Sequence, residues 1–374
     1  MKTNSTAGPA SRTPREAPDF SRILIVKLSA LGDVAHALPA VDYLRRAAPG
    51  AEIDWVVDSR FADVVRGNPA LRRVVPLDLG RWKTAWWTRE SRRHAARAAR
   101  ELRAGGYDAA FDIQGNLKSG VVTLLSGAPV RIGFGADGVR EPANLLFTNR
   151  KAALLPGDAH IAAKILRVVS APFGGAFDLA GLRGVVATSA GDDAAAASLL
   201  RQLLPGAAPI LALHGGTTWV TKRMDPPFWA AAIRALRARF PALGVLLSWG
   251  TEDERRDAEL ARALAGGAVA LAPRVSLKVL AALYRECGFL MAPDTGPLHV
   301  AAAAGARTVS VFRATDGKRN APLGPGHRFL QAPLPCTACL KKRCARDREC
   351  RESLPADAAA EAMAELMGAG AAAP

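Results

Sequence analysis

The chain has 374 residues, 49% of them hydrophobic, with Lys plus Arg at 50 against 34 Asp plus Glu, a formal charge of +16 and a pI near 10.3. So much apolar material excludes a disordered polyelectrolyte and suffices for two cores of ordinary size, while the charge favours anionic partners. No apolar run approaches the roughly 20 residues of a spanning helix, and "MKTNSTAGPASRTPREAPDF" lacks the apolar heart of a secretion leader, so a cytoplasmic protein is expected.

Residues 1–20 read as a disordered polar tail. "RILIVKL" then opens an α/β alternation, its run Ile23 to Val26 suiting a strand buried on both faces. Gly32 and Asp33 follow where this strand hands over to a helix read over 36–48. Asp33 there is either an acid countering a helix terminus or a chemical group at the carboxyl end of a parallel strand. "EIDWVVD", "RRVVPLD", "YDAAFDI" and "VRIGF" are the next strands, and 88–104 reads as a helix with an arginine-rich polar face. Residues 81–103 hold eight Arg or Lys and three Trp, a mixture that suits a nucleic acid, a sugar or an acidic headgroup, or else a solvated face with Trp anchors. "GFGADG" (133–138) fits the dinucleotide spacing, with Asp158 further on, but Pro142 interrupts the helix that should follow, which favours a plain glycine-rich loop.

A Gly- and Ala-rich stretch at 170–193 connects this half, 21–175, to a second at 190–350, leaving 351–374 as a terminal helix or tail free to pack back on the first. The second half repeats the pattern with strands at 209–215, 244–250, 287–293 and 307–312. Its first strand end offers Thr217, Thr218 and Lys222, and a lysine there can neutralise a diphosphate without a metal. The next offers Glu254, a candidate for a ribose hydroxyl. "MAPDTGPLHVAAAAG" turns through Asp294, Thr295 and Gly296 into a helix carrying His299, whose free N–H groups suit a phosphate, although a capping Asp with a buried His has the same pattern. Three polar strand ends in one half argue for a nucleotide site. Cys287 reads as a buried apolar residue. Cys336, Cys339, Cys344 and Cys350 have metal-ligand spacing, which leaves a structural zinc open beside free thiols or a disulfide.

Together, "ILIVKLSALGDVAHALPA", "DIQGNLKSG" and "PDTGPLHVAAAAG" resemble the ADP-heptose:lipopolysaccharide heptosyltransferases, glycosyltransferase family 9, over about 21–350. "RRVVPLDLGRWKTAWW", "VREPANLLFTNRK" and "TTWVTKRMDPPFW" look most like the type I branch, which adds the first heptose to Kdo on lipid A, and the cysteine cluster resembles other branches. The resemblance implies a GT-B fold of two facing Rossmann-like domains and inverting, metal-independent transfer from ADP-heptose. It implies Asp33 as general base and Lys222, Asp294, Thr295, Gly296 and His299 at the diphosphate, with Glu254 on the adenosine side and Thr217 and Thr218 beside the donor. It places an acidic acceptor against Ser29, Gly32, Arg81, Lys83, Gln114, Lys118, Arg140 and Arg150, and the enzyme at the cytoplasmic face of the inner membrane. The remaining readings are transfer to another core sugar, a nucleic-acid-binding α/β protein, which leaves the Asp-Thr-Gly-x-x-His signature unused, and an NAD-dependent oxidoreductase. No nucleic-acid partner is expected.

Overall fold

A computed structural model describes residues 18–80 and 88–371. Among the described residues, twelve strands form two six-stranded, all-parallel sheets. The first contains β1 (Arg22–Val26), β2 (Glu52–Asp58), β3 (Arg73–Leu77), β4 (Ala109–Asp112), β5 (Val130–Phe134) and β6 (Arg150–Ala152). The second contains β7 (Ile210–His214), β8 (Gly244–Ser248), β9 (Val269–Leu271), β10 (Gly288–Pro293), β11 (Arg307–Phe312) and β12 (His327–Gln331). The orders are β3-β2-β1-β4-β5-β6 and β12-β11-β10-β7-β8-β9, the same doubly wound pattern twice. Each order reverses once, between β1 and β4 and between β7 and β10. Such a reversal parts the loops that follow the strands and opens a crevice at their carboxyl ends.

Alternation along the apolar runs explains why both sheets are covered on both sides. Ile23 and Ile25 join the core that includes Val41, Leu44 and Leu166, while Leu24 and Val26 join the opposite one with Leu102 and Val122. In the second half Leu211 and Leu213 face one core and Ala212 the other. At roughly 1.5–3 kcal/mol for each large side chain taken from water, such strands cannot be exposed on either face without large loss.

The helix read over 36–48 is two helices, Leu31–His36 and Pro39–Ala47, because Pro39 lacks the N–H that would continue the first and is suited to begin the second. The short edge strands β6, β9 and β12 were not foreseen: three, three and five residues carry little period-two signal. Pro142 opens only a 3-10 turn, Pro142–Leu146, as its place in the sequence suggests. Residues after Ser170 pack Phe173, Phe177 and Leu182 onto the first core, so the connection belongs to that half, and helix Ala190–Leu203 starts the second core with Ala196 and Leu200. Helix Ala356–Ala371 does not pack back on the first half. Ala359, Met363 and Met367 enter the second core beside Trp229 and Leu236.

The halves touch. Ala281 and Val300 of the second join the core of the first, and His160 Nε2 lies 2.9 Å from the Ala321 carbonyl.

Candidate active site

The residues after β10 gather polar groups at the second half's reversal. Asp294 follows the strand, and Thr295 is the N-cap of helix Gly296–Ala304 without making a side-chain capping bond. Its hydroxyl and the unpaired N–H groups of the first turn remain for a ligand, at the positive end of the helix. Asp294 itself is nearly buried, and its carboxylate takes bonds from Lys222 Nζ at 2.7 Å and Thr315 Oγ1 at 2.7 Å, with His299 Nε2 at 3.4 Å. Burial alone would raise its pKa, but His299 and Lys222 outweigh that and hold the carboxyl far below the usual range. Asp294 is thus a charged hub that fixes Lys222 and His299, with Thr217 Oγ1 bonding its backbone carbonyl at 3.1 Å. Lys222 ends the turn Val220–Lys222, and its ammonium lies 4.8 Å from the centre of the Trp219 ring, so it is held from two sides.

Thr218 is exposed at the rim of this group. Glu254 is first a capping residue: its Oε2 accepts from Gly250 N at 2.8 Å and Thr251 N at 3.1 Å. Its carboxylate also covers Gly216, where an added Cβ would come within 2.2 Å of Glu254 Cδ. The second glycine of "HGG" therefore admits this acid to the β7–β8 side of the crevice.

The first half presents Asp33 in the first turn of helix Leu31–His36, partly exposed, with Ala30 N 3.4 Å from Oδ2. That long bond is the capping role weighed from the sequence, and the other carboxylate oxygen has no partner among the described residues. Behind it the loop is braced rather than free. Gln114 is buried and its Oε1 accepts from both Leu28 N and Ser29 N at 3.2 Å. Gln114 thereby holds the chain that leads from β1 to Asp33. Gly32 also serves another contact: a Cβ there would meet His299 Cδ2 at 2.8 Å, and one on Gly296 would meet Leu31 Cδ2 at 2.7 Å. The position a Cβ of Gly32 would take is thus occupied by the second half. The two glycines let the helix carrying Asp33 and helix Gly296–Ala304 meet, with the His36 and His299 rings 4.0 Å apart.

Two buried groups escaped the sequence reading. Lys27 is 4% exposed at the end of β1, donates to the Ile113 carbonyl at 3.2 Å, and has its pKa lowered by burial against the pull of Asp33 and Asp112. Asp112 is fully buried, accepts from Ser119 Oγ at 2.9 Å, Asn144 Nδ2 at 2.6 Å and the Gln114 and Gly115 N–H groups, and has its pKa raised by burial despite them. The only available signal was polar residues ending apolar strands.

Lys118, in the first turn of helix Leu117–Leu125, and Arg140, on a loop, stand exposed beside this cluster, the latter brought in because its N–H bonds the Gly115 carbonyl at 2.9 Å. Arg150 lies apart on the edge strand β6, three strand positions from β1. Arg81 and Lys83 lie outside the described residues. Cys336, Cys339, Cys344 and Cys350 are free thiols around a cavity of about 20 Å³ that Thr221 and Arg313 also line. Among the described residues no three His, Cys, Asp or Glu side chains are grouped as a metal ion needs, so the zinc reading of the cysteines finds no support in their placement. The segment is instead tied down by ions: buried Arg313 bonds Asp347 at 2.7 Å.

Residues 95–349 match the model of glycosyltransferase family 9 (heptosyltransferase). The chain belongs to this family. Lipopolysaccharide heptosyltransferase 1 of Pseudomonas aeruginosa is 35% identical over 86% of this chain and 87% of its own length. The protein of the same description from Escherichia coli K12 is 30% identical over 83% of this chain and 94% of its own. The solved E. coli heptosyltransferase WaaC with ADP superposes with a TM-score of 0.73 at 28% identity, covering 92% of this chain and 99% of that one. Family membership makes the chain a glycosyltransferase, and the two doubly wound halves are the GT-B architecture of the family's solved heptosyltransferases.

Proposed function

We propose that this enzyme transfers heptose from ADP-L-glycero-D-manno-heptose to Kdo of Kdo-lipid A, with inversion, in building the lipopolysaccharide inner core at the cytoplasmic face of the inner membrane. The observation that carries the proposal is the close approach of the two halves at Gly32 and Gly296, which supports reading Asp33 as the base and Thr295 and Lys222 as the diphosphate site. The relatives named above, described as lipopolysaccharide heptosyltransferase 1 and as WaaC bound to ADP, support the choice of sugar and nucleotide.

The chemistry follows from the charges. An acceptor hydroxyl is too weakly acidic to attack unaided, so the Asp33 carboxylate takes its proton as the oxygen bonds to the anomeric carbon. The bond from that carbon to the diphosphate breaks on the opposite face, and its electron pair leaves with ADP, which inverts the centre. Charge growing on the diphosphate is met by the Lys222 ammonium and by the N–H groups at the start of helix Gly296–Ala304, a positive site that was fixed beforehand by Asp294 and Trp219. A divalent cation is not required by this arrangement. Glu254 stands on the side of β8, where a ribose would lie, and Lys27, Lys118 and Arg140 supply positive charge near the acceptor carboxylate.

The test is product analysis by mass spectrometry with ADP-heptose and Kdo-lipid A. Addition of one heptose to Kdo with release of ADP is expected. Transfer only to an acceptor already carrying heptose would assign the enzyme to another step of the core.

A further inference from the structure

Helix Leu117–Leu125 and helix Arg89–Ala104 cover the same face of the first sheet, where Val122, Ala98 and Leu102 share one core. Their outer surfaces have opposite character. On the first, Leu117, Val121 and Leu124 are 45%, 37% and 46% exposed, at the spacing of one helical face. The adjoining turn Pro142–Leu146 adds Leu146, 85% exposed. These are four of the twelve large hydrophobic side chains exposed among the described residues, so the clustering is not scatter. The Leu146 tip is held up by its neighbours: Lys151 Nζ bonds the Leu145 carbonyl at 2.6 Å and Arg131 Nε the Phe147 carbonyl at 2.9 Å.

On the second helix Arg89, Arg92, Arg93, Arg97, Arg100 and Arg103 are all exposed, against only Glu90 and Glu101. Among the described residues none of the six is ion-paired. An apolar ridge flanked by a bank of unpaired guanidinium groups matches one partner best: a bilayer surface with anionic headgroups, into which the ridge dips while the arginines meet phosphates. A protein partner of ordinary composition would leave that bank uncompensated.

We propose that this face docks the enzyme on an anionic phospholipid bilayer, Val121, Leu124 and Leu146 entering the headgroup layer and the arginine helix lying along it. The proposal rests on the reading of the acceptor as a lipid-linked sugar. The ridge begins at Leu117, at the mouth of the crevice: Asn116 caps the helix, and Ser119 in its first turn bonds Asp112 beside the Asp33 loop. A lipid acceptor can therefore keep its chains in the bilayer while its sugar reaches Asp33. Both signals are required, since neither a few apolar side chains nor surface charge alone anchors a protein firmly.

The experiment is co-sedimentation of the full chain with phosphatidylcholine vesicles, with and without phosphatidylglycerol. Wild type is expected to bind only the anionic vesicles. Val121→Asn/Leu124→Asn/Leu146→Asn and, separately, Arg93→Glu/Arg97→Glu/Arg100→Glu are each expected to weaken binding at least about tenfold. Both should keep the wild-type melting temperature and wild-type turnover on a lipid-free Kdo acceptor. If the apolar triple variant unfolds, single Leu146→Asn, at an almost wholly exposed site, carries the test and should weaken binding measurably. Vesicle binding by either apolar variant equal to wild type overturns the proposal. So does a concentration-dependent dimer in sedimentation velocity that the apolar variants abolish while vesicle binding persists. Vesicle binding as expected, with no transfer of heptose by wild type to any Kdo acceptor, would instead reject the proposed reaction and leave the docking face standing.

Discussion

Replacing Lys222 by Met removes the charge proposed to receive the diphosphate while keeping the side chain's bulk. Two losses follow, and the structure separates them. The ammonium bonds Asp294 Oδ2 at 2.7 Å with the lysine side chain 17% exposed and the acid 9%. Breaking a fully buried pair costs about 3–5 kcal/mol, and with the pair partly exposed and Thr315 and His299 still bonding the carboxylate we expect less, about 2–3 kcal/mol. At about 2–4 °C per kcal/mol, the melting temperature should fall roughly 5–10 °C. The second loss is a charge-assisted bond to ADP, worth about 1.5–3 kcal/mol, or roughly 10–150-fold in Kd by titration calorimetry. Adding Asp294→Asn removes the orphaned carboxylate, so the double variant should regain much of the melting temperature but none of the ADP affinity. If Lys222→Met binds ADP within about threefold of wild type, Lys222 only braces Asp294 and the donor site is misassigned.

Asp33→Asn should lower kcat about 10²–10⁴-fold while leaving the Kd for ADP unchanged, and activity within tenfold of wild type would reduce Asp33 to a helix cap. Gly32→Ala puts a carbon 2.8 Å from His299 Cδ2, against an ordinary contact of about 3.5–4.0 Å. The halves should separate and kcat/KM fall at least about tenfold, while the helix, gaining about 1 kcal/mol of propensity, keeps the melting temperature near wild type. A variant with intact kcat/KM would show that the close approach is not needed. Transfer should proceed undiminished in EDTA, and activity that disappears with chelator and returns with Mg²⁺ would contradict the role given to Lys222. Burial pushes His214 down to about 4 and lowers His36 and His160 as well, so folding favours their neutral forms. Stability should then be complete above the unfolded value near 6.5 and decline as pH falls towards 4, by roughly 3 kcal/mol for His214 alone. Thermal melts against pH should show a shallower decline for His214→Asn, and an unchanged slope would remove His214 from the acid response.

Much of this protein is legible without coordinates because its signals are local. A run such as Ile23 to Val26 has no solution except a strand covered on both sides, and two series of such runs imply two doubly wound sheets. The turn Asp294-Thr295-Gly296 was readable because a strand end, a cap and a helix start are consecutive in the chain. What distant segments decide could not be read that way. Gln114 carries a polar amide in a loop like any acceptor-binding residue, and only the fold shows it bonded to Leu28 and Ser29, 86 and 85 positions away. Gly32 is expected beside the acceptor from the sequence, and only the fold shows that a Cβ there would meet His299 of the other half. Asp112 and Lys27 looked like ordinary strand ends until burial raised the pKa of the acid and lowered that of the lysine. The four cysteines have the spacing of metal ligands, yet spacing does not fix where side chains point, and their placement here groups no metal set. Covalent neighbours set secondary structure and helix-end chemistry, so the sequence alone determined the two sheets and the donor signature. Contacts across 80 residues or more set burial, charge pairing and the meeting of the halves, and those only the tertiary structure decided.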